Sequence, residues 1–407
     1  MTMRVLLTLP PSQGSLHGAL PLAGAIVDAG HEVAFCSSAP FEGQVRPYGY
    51  DYFPAGLDWQ INDADLIRRL ADASGPDLSA LAGPDPARWI TWATDNQFMR
   101  DAARAVFVDV RRIAESWGAD LVVSNLVDLG GLVAAESLGI PYASIGTSAG
   151  TARDLTDQLT GALTWLRAEA GLPPDPGLTM LYRHLHLAFT TPLFDGPSAV
   201  FPPSMCFLRR TGTVRQDELL PVWATDLTRP LVLVSLGTVF HRLTDVYRSI
   251  VEVLRDEPVE LGVAVGFDQD PSCLGPQPGN VHVEPWLPLP LLFPHCVALI
   301  THGGFNSTME ALSAGVPLVV IPMAGDQPYC ALRCAELGVG RAIRPDERLP
   351  ENILDATRRV LAEPSYRSAA LRIKAANAAL PTARHAVDQL EKLVAGEPRG
   401  HHGPNGR

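Results

Sequence analysis

His302-Gly-Gly-Phe-Asn-Ser-Thr-Met-Glu310 is the stretch on which the reading of the fold turns. It follows an apolar run at 297–300 and opens a segment of helical spacing that reaches Gly315. A strand, two glycines and a helix start together make an anion site. Free N–H groups and the positive end of the helix dipole face the loop, and glycine lets a phosphate approach the backbone. Ser307 and Thr308 add hydroxyls in the first turn, and His302 adds a donor at the loop entrance. Gly-Gly before a helix also occurs in loops that bind nothing, so the run alone leaves both readings open.

Three companions narrow the choice. Ser235-Leu-Gly-Thr238 is a second glycine turn at a strand end, on the carboxyl edge of what should be the same sheet, where ligands of open α/β sheets bind. Trp286, within Glu284-Pro-Trp-Leu-Pro288, follows an apolar run at 281–283 and has the flat face needed to stack a base. Asp326-Gln327 follows the run at 318–321 and offers a carboxylate and an amide to sugar hydroxyls. A core tryptophan and a helix-capping aspartate are the plain readings of the last two residues taken singly. In this order and spacing, the four features together favour a ligand.

Outward from this region, short apolar runs alternate with amphipathic stretches from end to end, the pattern of βαβ units and parallel sheets. In the N-terminal half the expected strands are 5–9, 32–36, 120–124 and 142–145, with helices at 21–29, 95–117 and 130–138. Residues 71–87 read as a Pro/Gly/Asp-rich surface loop leading into Trp89, Trp92 and Phe98. Between 192 and 229 prolines interrupt all periodicity. A second series starts with Leu231–Ser235 and continues at 261–265, 281–283, 297–300 and 318–321, and helices at 350–362, 365–378 and 383–393 follow. The fold class is α/β, with a domain over 1–205, a linker over 206–229, a second domain over 230–380, a closing helix over 381–395 and a disordered tail over 396–407.

The chain has 407 residues, enough for two domains. Apolar residues make up 46 %, which excludes a disordered or coiled-coil chain. Its 32 Lys+Arg against 44 Asp+Glu give a net charge of −12, which argues against a nucleic-acid partner. The sequence has neither a membrane-length apolar run nor a signal peptide, so a cytoplasmic protein is expected. Six scattered cysteines read as core thiols; Cys330 and Cys334, four apart, lack further ligands at metal spacing.

The motifs WLP (286–288), HGGFNSTMEALSAGVP (302–317) and GDQ (325–327) closely resemble those of GT-B, family 1 glycosyltransferases of the actinobacterial antibiotic type. GALPLAGAIVDAGHEV (18–33) and DLVVSN with GGLVAAESLGIPY (120–142) match more loosely. The resemblance covers nearly the whole chain. It implies two Rossmann-like doubly wound domains facing a central cleft, and inverting transfer of a (deoxy)sugar from a dTDP- or UDP-sugar to a small hydrophobic, aromatic polyketide-like aglycone, O- or C-linked, in secondary-metabolite biosynthesis. Trp286 then stacks the base, Glu310 holds the ribose, and Leu287 belongs to the same donor-binding set. His302, Gly303, Gly304, Asn306 and Ser307 meet the diphosphate, Gly237 and Thr238 line the cleft, and Asp326 and Gln327 touch the sugar. The aglycone is expected near Trp89 and Trp92, and a homodimer is a further expectation. No cofactor or metal is expected, because N–H groups at a helix end can stabilise a leaving diphosphate. Asp63-Ala-Asp65 and Asp268-Gln-Asp270, both of the metal-chelating DxD form, read as solvated turns.

The catalytic base is where the sequence departs from the family. Counting back from Gly30 puts Ser15 at the position where relatives carry a histidine, with His17 two residues on, and the orienting acid aligns near Asn125, with Asp128 beyond it. His17 serves as base, with Asp128 as partner, only if residues 15–17 precede the helix. Within a helix a two-residue step turns the side chain by about 200°. Ser15 also reads as a helix cap and His17 as a polar residue at the rim. Two alternatives stand beside the transferase: a GT-B sugar-nucleotide 2-epimerase, and a catalytically impaired nucleotide-sugar binder or activator.

Overall fold

The computed structural model describes residues 2–60, 97–146, 152–197, 199–215, 217–237, 244–267, 269–323 and 325–396. Trp89, Trp92, Thr238, Asp268, both carboxylates of Asp63-Ala-Asp65, the loop at 71–87 and the tail beyond Gly396 lie outside them. The described residues divide into two compact units. One runs to Arg209 and resumes at Leu380; the other is Arg210–Ala379.

The first unit is built on a seven-stranded sheet, every pair parallel: β1 (Arg4–Thr8), β2 (Glu32–Ser37), β3 (Asp51–Pro54), β4 (Leu121–Asn125), β5 (Tyr142–Gly146), β6 (Leu185–Ala188) and β7 (Met205–Phe207). The spatial order is β3-β2-β1-β4-β5-β6-β7. Val5 and Leu7 face one layer and Leu6 the other, as the two-residue period of a strand requires. On the first face lie α1 (Gln13–Asp28) and, from the far end of the chain, the helix Ala383–Val394. On the second lie α2 (Gln97–Trp117), α3 (Leu129–Leu138) and α4 (Ala152–Glu169). Both faces are covered, which is why β1 and β4 are continuous apolar runs rather than alternating ones.

The second unit repeats the plan with six parallel strands: β8 (Leu231–Ser235), β9 (Glu260–Ala264), β10 (Val281–Glu284), β11 (Cys296–Thr301), β12 (Leu318–Val320) and β13 (Gly340–Ala342), ordered β10-β9-β8-β11-β12-β13. Its longer helices are α5 (Thr244–Leu254), α6 (Phe305–Ala314), α7 (Gln327–Glu336), α8 (Pro350–Ala362) and α9 (Pro364–Ala378). Val232, Val234, Val263 and Ile300 form one core face with Ile250, Val251, Ile353 and Val360. Ala383–Val394 is α10.

Two boundaries differ from expectation. β7 straddles the expected division at 205 and pairs with β6, so the first unit extends to Arg209. Helix α1 begins at Gln13, eight residues before the expected start at Pro21, which lies inside it. Proline favours a first helical turn, so the residue reads as a start. Here Ser12 is the N-cap, with extended backbone and a hydroxyl that accepts from Ser15 N–H. Among the described residues no helix is long and apolar enough to cross a membrane.

Candidate functional site

In the second unit the strand order reverses between β8 and β11, so a crevice opens at their carboxyl ends. Ser235 and Thr301 end these strands in register. The loop after β8 is pinned by Tyr247 of α5, whose hydroxyl accepts from Leu236 N–H (3.2 Å) and donates to Ala264 O (2.9 Å). Gly237 follows with φ +84°, and a β-carbon there would lie 2.6 Å from the His302 ring. A β-carbon on Gly304 would lie 2.4 Å from His302 Nε2. The imidazole is therefore wedged between two bare stretches of backbone. Burial pushes its pKa from 6.5 down to about 4, against the opposing pull of a hydrogen bond to the Ser235 backbone. At neutral pH it is an uncharged ring whose one N–H is engaged by the Ser235 backbone.

Helix α6 starts at Gly304 with no side-chain cap, so the positive end of its dipole faces the same loop. Ser307 lies in its first turn. Asn306 and Glu310, one turn apart, share a partner that the sequence does not announce, Arg210. Arg210 Nη1 donates to Asn306 Oδ1 (2.8 Å) and Nη2 to Glu310 Oε1 (2.7 Å). Arg210 is 3 % exposed, and its own backbone is clasped by Asn377, which accepts from its N–H and donates to its carbonyl. Its partners lie 96 and 100 residues away, and it sits in an aperiodic Pro-rich stretch, so no local signal marks it.

Trp286 is held by edge and face. Its Nε1–H donates to Glu218 Oε1 (2.9 Å), and Phe267 stacks on it at 4.6 Å and 11°. Phe267 is half-exposed, the one aromatic of this group that sequence reading misses. The Leu287 side chain is buried, and its carbonyl accepts from Leu289 N–H, so any contact it makes with a ligand runs through its backbone. Gln327 is buried too, and its Oε1 accepts from Met323 N–H, closing the turn that precedes α7; Asp326 is the N-cap residue of that helix. Gly303, at φ +84°, packs against Val320 and the Gln327 carbonyl. Asp270 accepts from Ser272 N–H in an exposed turn. Among the described residues no group of three His, Cys, Asp or Glu is placed to hold a metal ion.

In the first unit the strand order reverses between β1 and β4. Thr8 Oγ1 and Ser124 Oγ lie 2.9 Å apart, and Ser124 Oγ donates to the Asp128 carbonyl (3.0 Å). The Asp128 carboxyl is buried, which pushes its pKa up to about 6; hydrogen bonds from Thr8 and Gly131 N–H pull the other way. His17 is not among its partners, so the expected His17–Asp128 pair is replaced by an Asp128–Thr8 contact. Asn125 Oδ1 accepts from Val127 N–H. Ser15 and His17 both lie within α1 and point about 200° apart. Ser15 is buried against Ser12 (Oγ to Oγ 2.8 Å), whereas His17 Nε2 lies 3.2 Å from the Tyr48 hydroxyl.

Two parallel Rossmann-like sheets, each with a switch-point crevice, define the class as GT-B. The thymidine diphosphate complex of Streptomyces sp. SF2575 glycosyltransferase SsfS6 superposes with a TM-score of 0.75 at 23 % identity, over 96 % of this chain and 99 % of that one. Within that class, residues 257–393 match the family described as erythromycin biosynthesis protein CIII-like, C-terminal domain. Along its length the chain is 28 % identical to 4'-demethylrebeccamycin synthase of Lentzea aerocolonigenes, covering 97 % of this chain and all of that protein. It is 28 % identical to 10-deoxymethynolide desosaminyltransferase of Streptomyces venezuelae, covering 97 % of each. The chain thus resembles the GT-B, family 1 glycosyltransferases of actinobacterial antibiotic pathways.

Proposed function

We propose that the protein is an inverting glycosyltransferase that moves a sugar from a nucleoside diphosphate sugar to a small phenolic or polycyclic aromatic acceptor. The observation that carries this reading is the crevice of the second unit. A neutral His302 wedged between Gly237 and Gly304 lies beside the uncapped start of α6, with Glu310 one turn further in. Backbone N–H groups and the helix dipole suit the two charges of a leaving diphosphate, so the reading needs no metal ion. Trp286 serves the base, and Asp326 stands at the head of α7 for the sugar. The names of the relatives support transfer, and nothing in them favours an epimerase or an impaired binder.

The proton step rests on the acceptor. A phenol has a pKa near ~10 and loses its proton without a strong base. Ser15 cannot act as that base, and His17 is turned away from it. The test is incubation with dTDP- and UDP-sugars and a panel of phenolic and aliphatic acceptors, followed by mass spectrometry. A glycosylated phenol with inverted anomeric configuration is the expected product. Hydrolysis or epimerisation of the donor with no acceptor product overturns the reading.

A further inference from the structure

Arg210 has no part in the site as the sequence defines it, yet it grips two polar side chains of α6, Asn306 and Glu310. We infer that Arg210 is the positioning residue of the ribose subsite, engaging Glu310 Oε1 so that Oε2 is presented to a single sugar hydroxyl. This rests on the reading of Glu310 as the ribose acceptor. The supporting geometry is specific. A guanidinium is a planar fork, and here one prong goes to Asn306 and the other to Glu310, which fixes the two side chains relative to each other. The arginine cannot drift: it is almost wholly buried, and Asn377 holds its backbone from both sides. Glu310 Oε2 has no hydrogen-bond partner among the described residues, and the glutamate keeps 13 % side-chain exposure against 2 % for the arginine. The pair therefore turns its unused oxygen toward the open side.

The consequence is a preference. A vicinal diol spans both oxygens of a free carboxylate, but Oε1 already carries the Arg210 N–H. A 2′-deoxyribose, with its 3′-hydroxyl alone, satisfies what remains; a ribose brings a second hydroxyl that must be desolvated without an equal partner. The subsite thus suits 2′-deoxyribonucleoside diphosphates.

The test is calorimetric affinity of the full chain for thymidine diphosphate and for 3′-deoxythymidine diphosphate, which lacks the hydroxyl in question. Wild type should prefer the former by about tenfold, the weight of one hydrogen bond to a charged group. Glu310→Gln should largely erase that ratio. Arg210→Lys, which keeps the charge but has no fork, should erase it too while leaving affinity for the 3′-deoxy compound within about threefold of wild type. A merely structural arginine would instead weaken both ligands alike, and that result overturns the inference. So does a ratio retained in Arg210→Lys but lost in Glu310→Gln, which leaves the ribose reading standing. A ratio unmoved by Glu310→Gln overturns the ribose reading itself. In a second arm, deoxyuridine diphosphate should bind wild type at least as tightly as uridine diphosphate. A preference of about tenfold for uridine diphosphate overturns the single-hydroxyl subsite.

Discussion

His302 Nε2 lies 2.4 Å from the point where a β-carbon on Gly304 would sit. Gly304 has φ −58° and ψ 137°, a backbone any residue adopts, so alanine there strains nothing except its contact with the ring. The ring must move, because packed interiors lack room to absorb such an overlap. His302→Ala should weaken thymidine diphosphate binding by about tenfold, because the ring that holds Ser235, Gly237 and Gly304 in place around the loop is lost. Gly304→Ala should weaken it as well, and the double variant should be no worse than His302→Ala alone. Full additivity in calorimetry would mean that the glycine acts independently of the ring.

Asp128 gives a pH signature in stability. Its folded pKa, about 6, lies above its ordinary 3.8, so folding disfavours the ionised form. The native state binds the proton more tightly than the unfolded chain, so a penalty of up to about 3 kcal/mol is present above pH 6 and absent below pH 4. Asp128→Asn keeps an oxygen for Thr8 and Gly131 N–H and removes that penalty. Thermal unfolding should show the variant more stable than wild type at pH 8 and indistinguishable at pH 4. Equal or lower stability at pH 8 would count against a strained carboxylate.

Transfer should continue in excess chelator. Helix-end N–H groups take the role of a cation at the diphosphate, and Asp270 is committed to an exposed turn through Ser272 N–H. The check is initial rate before and after EDTA. Complete loss, restored by magnesium or manganese, would contradict it.

On a phenolic acceptor, His17→Ala should retain rates within about threefold of wild type, because general-base catalysis by a positioned side chain is worth about 10²–10⁴ and this one is turned from Ser15. Rates across a series of phenols should rise as the phenol becomes more acidic, and aliphatic alcohols should be poor acceptors. A hundredfold loss in His17→Ala, with the basic limb of the pH–rate profile removed, would reinstate the imidazole as base.

What was legible in the chain follows from how each element is stabilised. The central strands β1, β4, β8 and β11 are apolar runs buried on both faces, so residues 231–235 and the helix 350–362 can be placed to the residue. β3, β6, β7 and β13 are only three or four residues long, and β7 and β13 are half-buried edge strands whose existence depends on a neighbour rather than on their own composition. The glycine loops of the crevice were readable because they break local rules. Arg210 was not, because its function exists only once residues about a hundred positions apart have folded together. Leu287 shows the converse: inside a strong motif its side chain packs in the core.

Helix α10 carries a consequence for how the protein is made. Ala386, Val387 and Leu390 belong to the same buried cluster as Val5, Leu22 and Ile26, and His31 Nε2 meets Glu391 Oε1 at 3.0 Å. Burying the larger two side chains is worth roughly 3–6 kcal/mol, a large share of a domain's net stability of about 5–15 kcal/mol. During translation, residues up to Arg209 emerge first, followed by all of Arg210–Ala379, and only then the helix that covers this apolar face. The nascent first unit must wait, with this apolar flank uncovered, until all of Arg210–Ala379 has been synthesised.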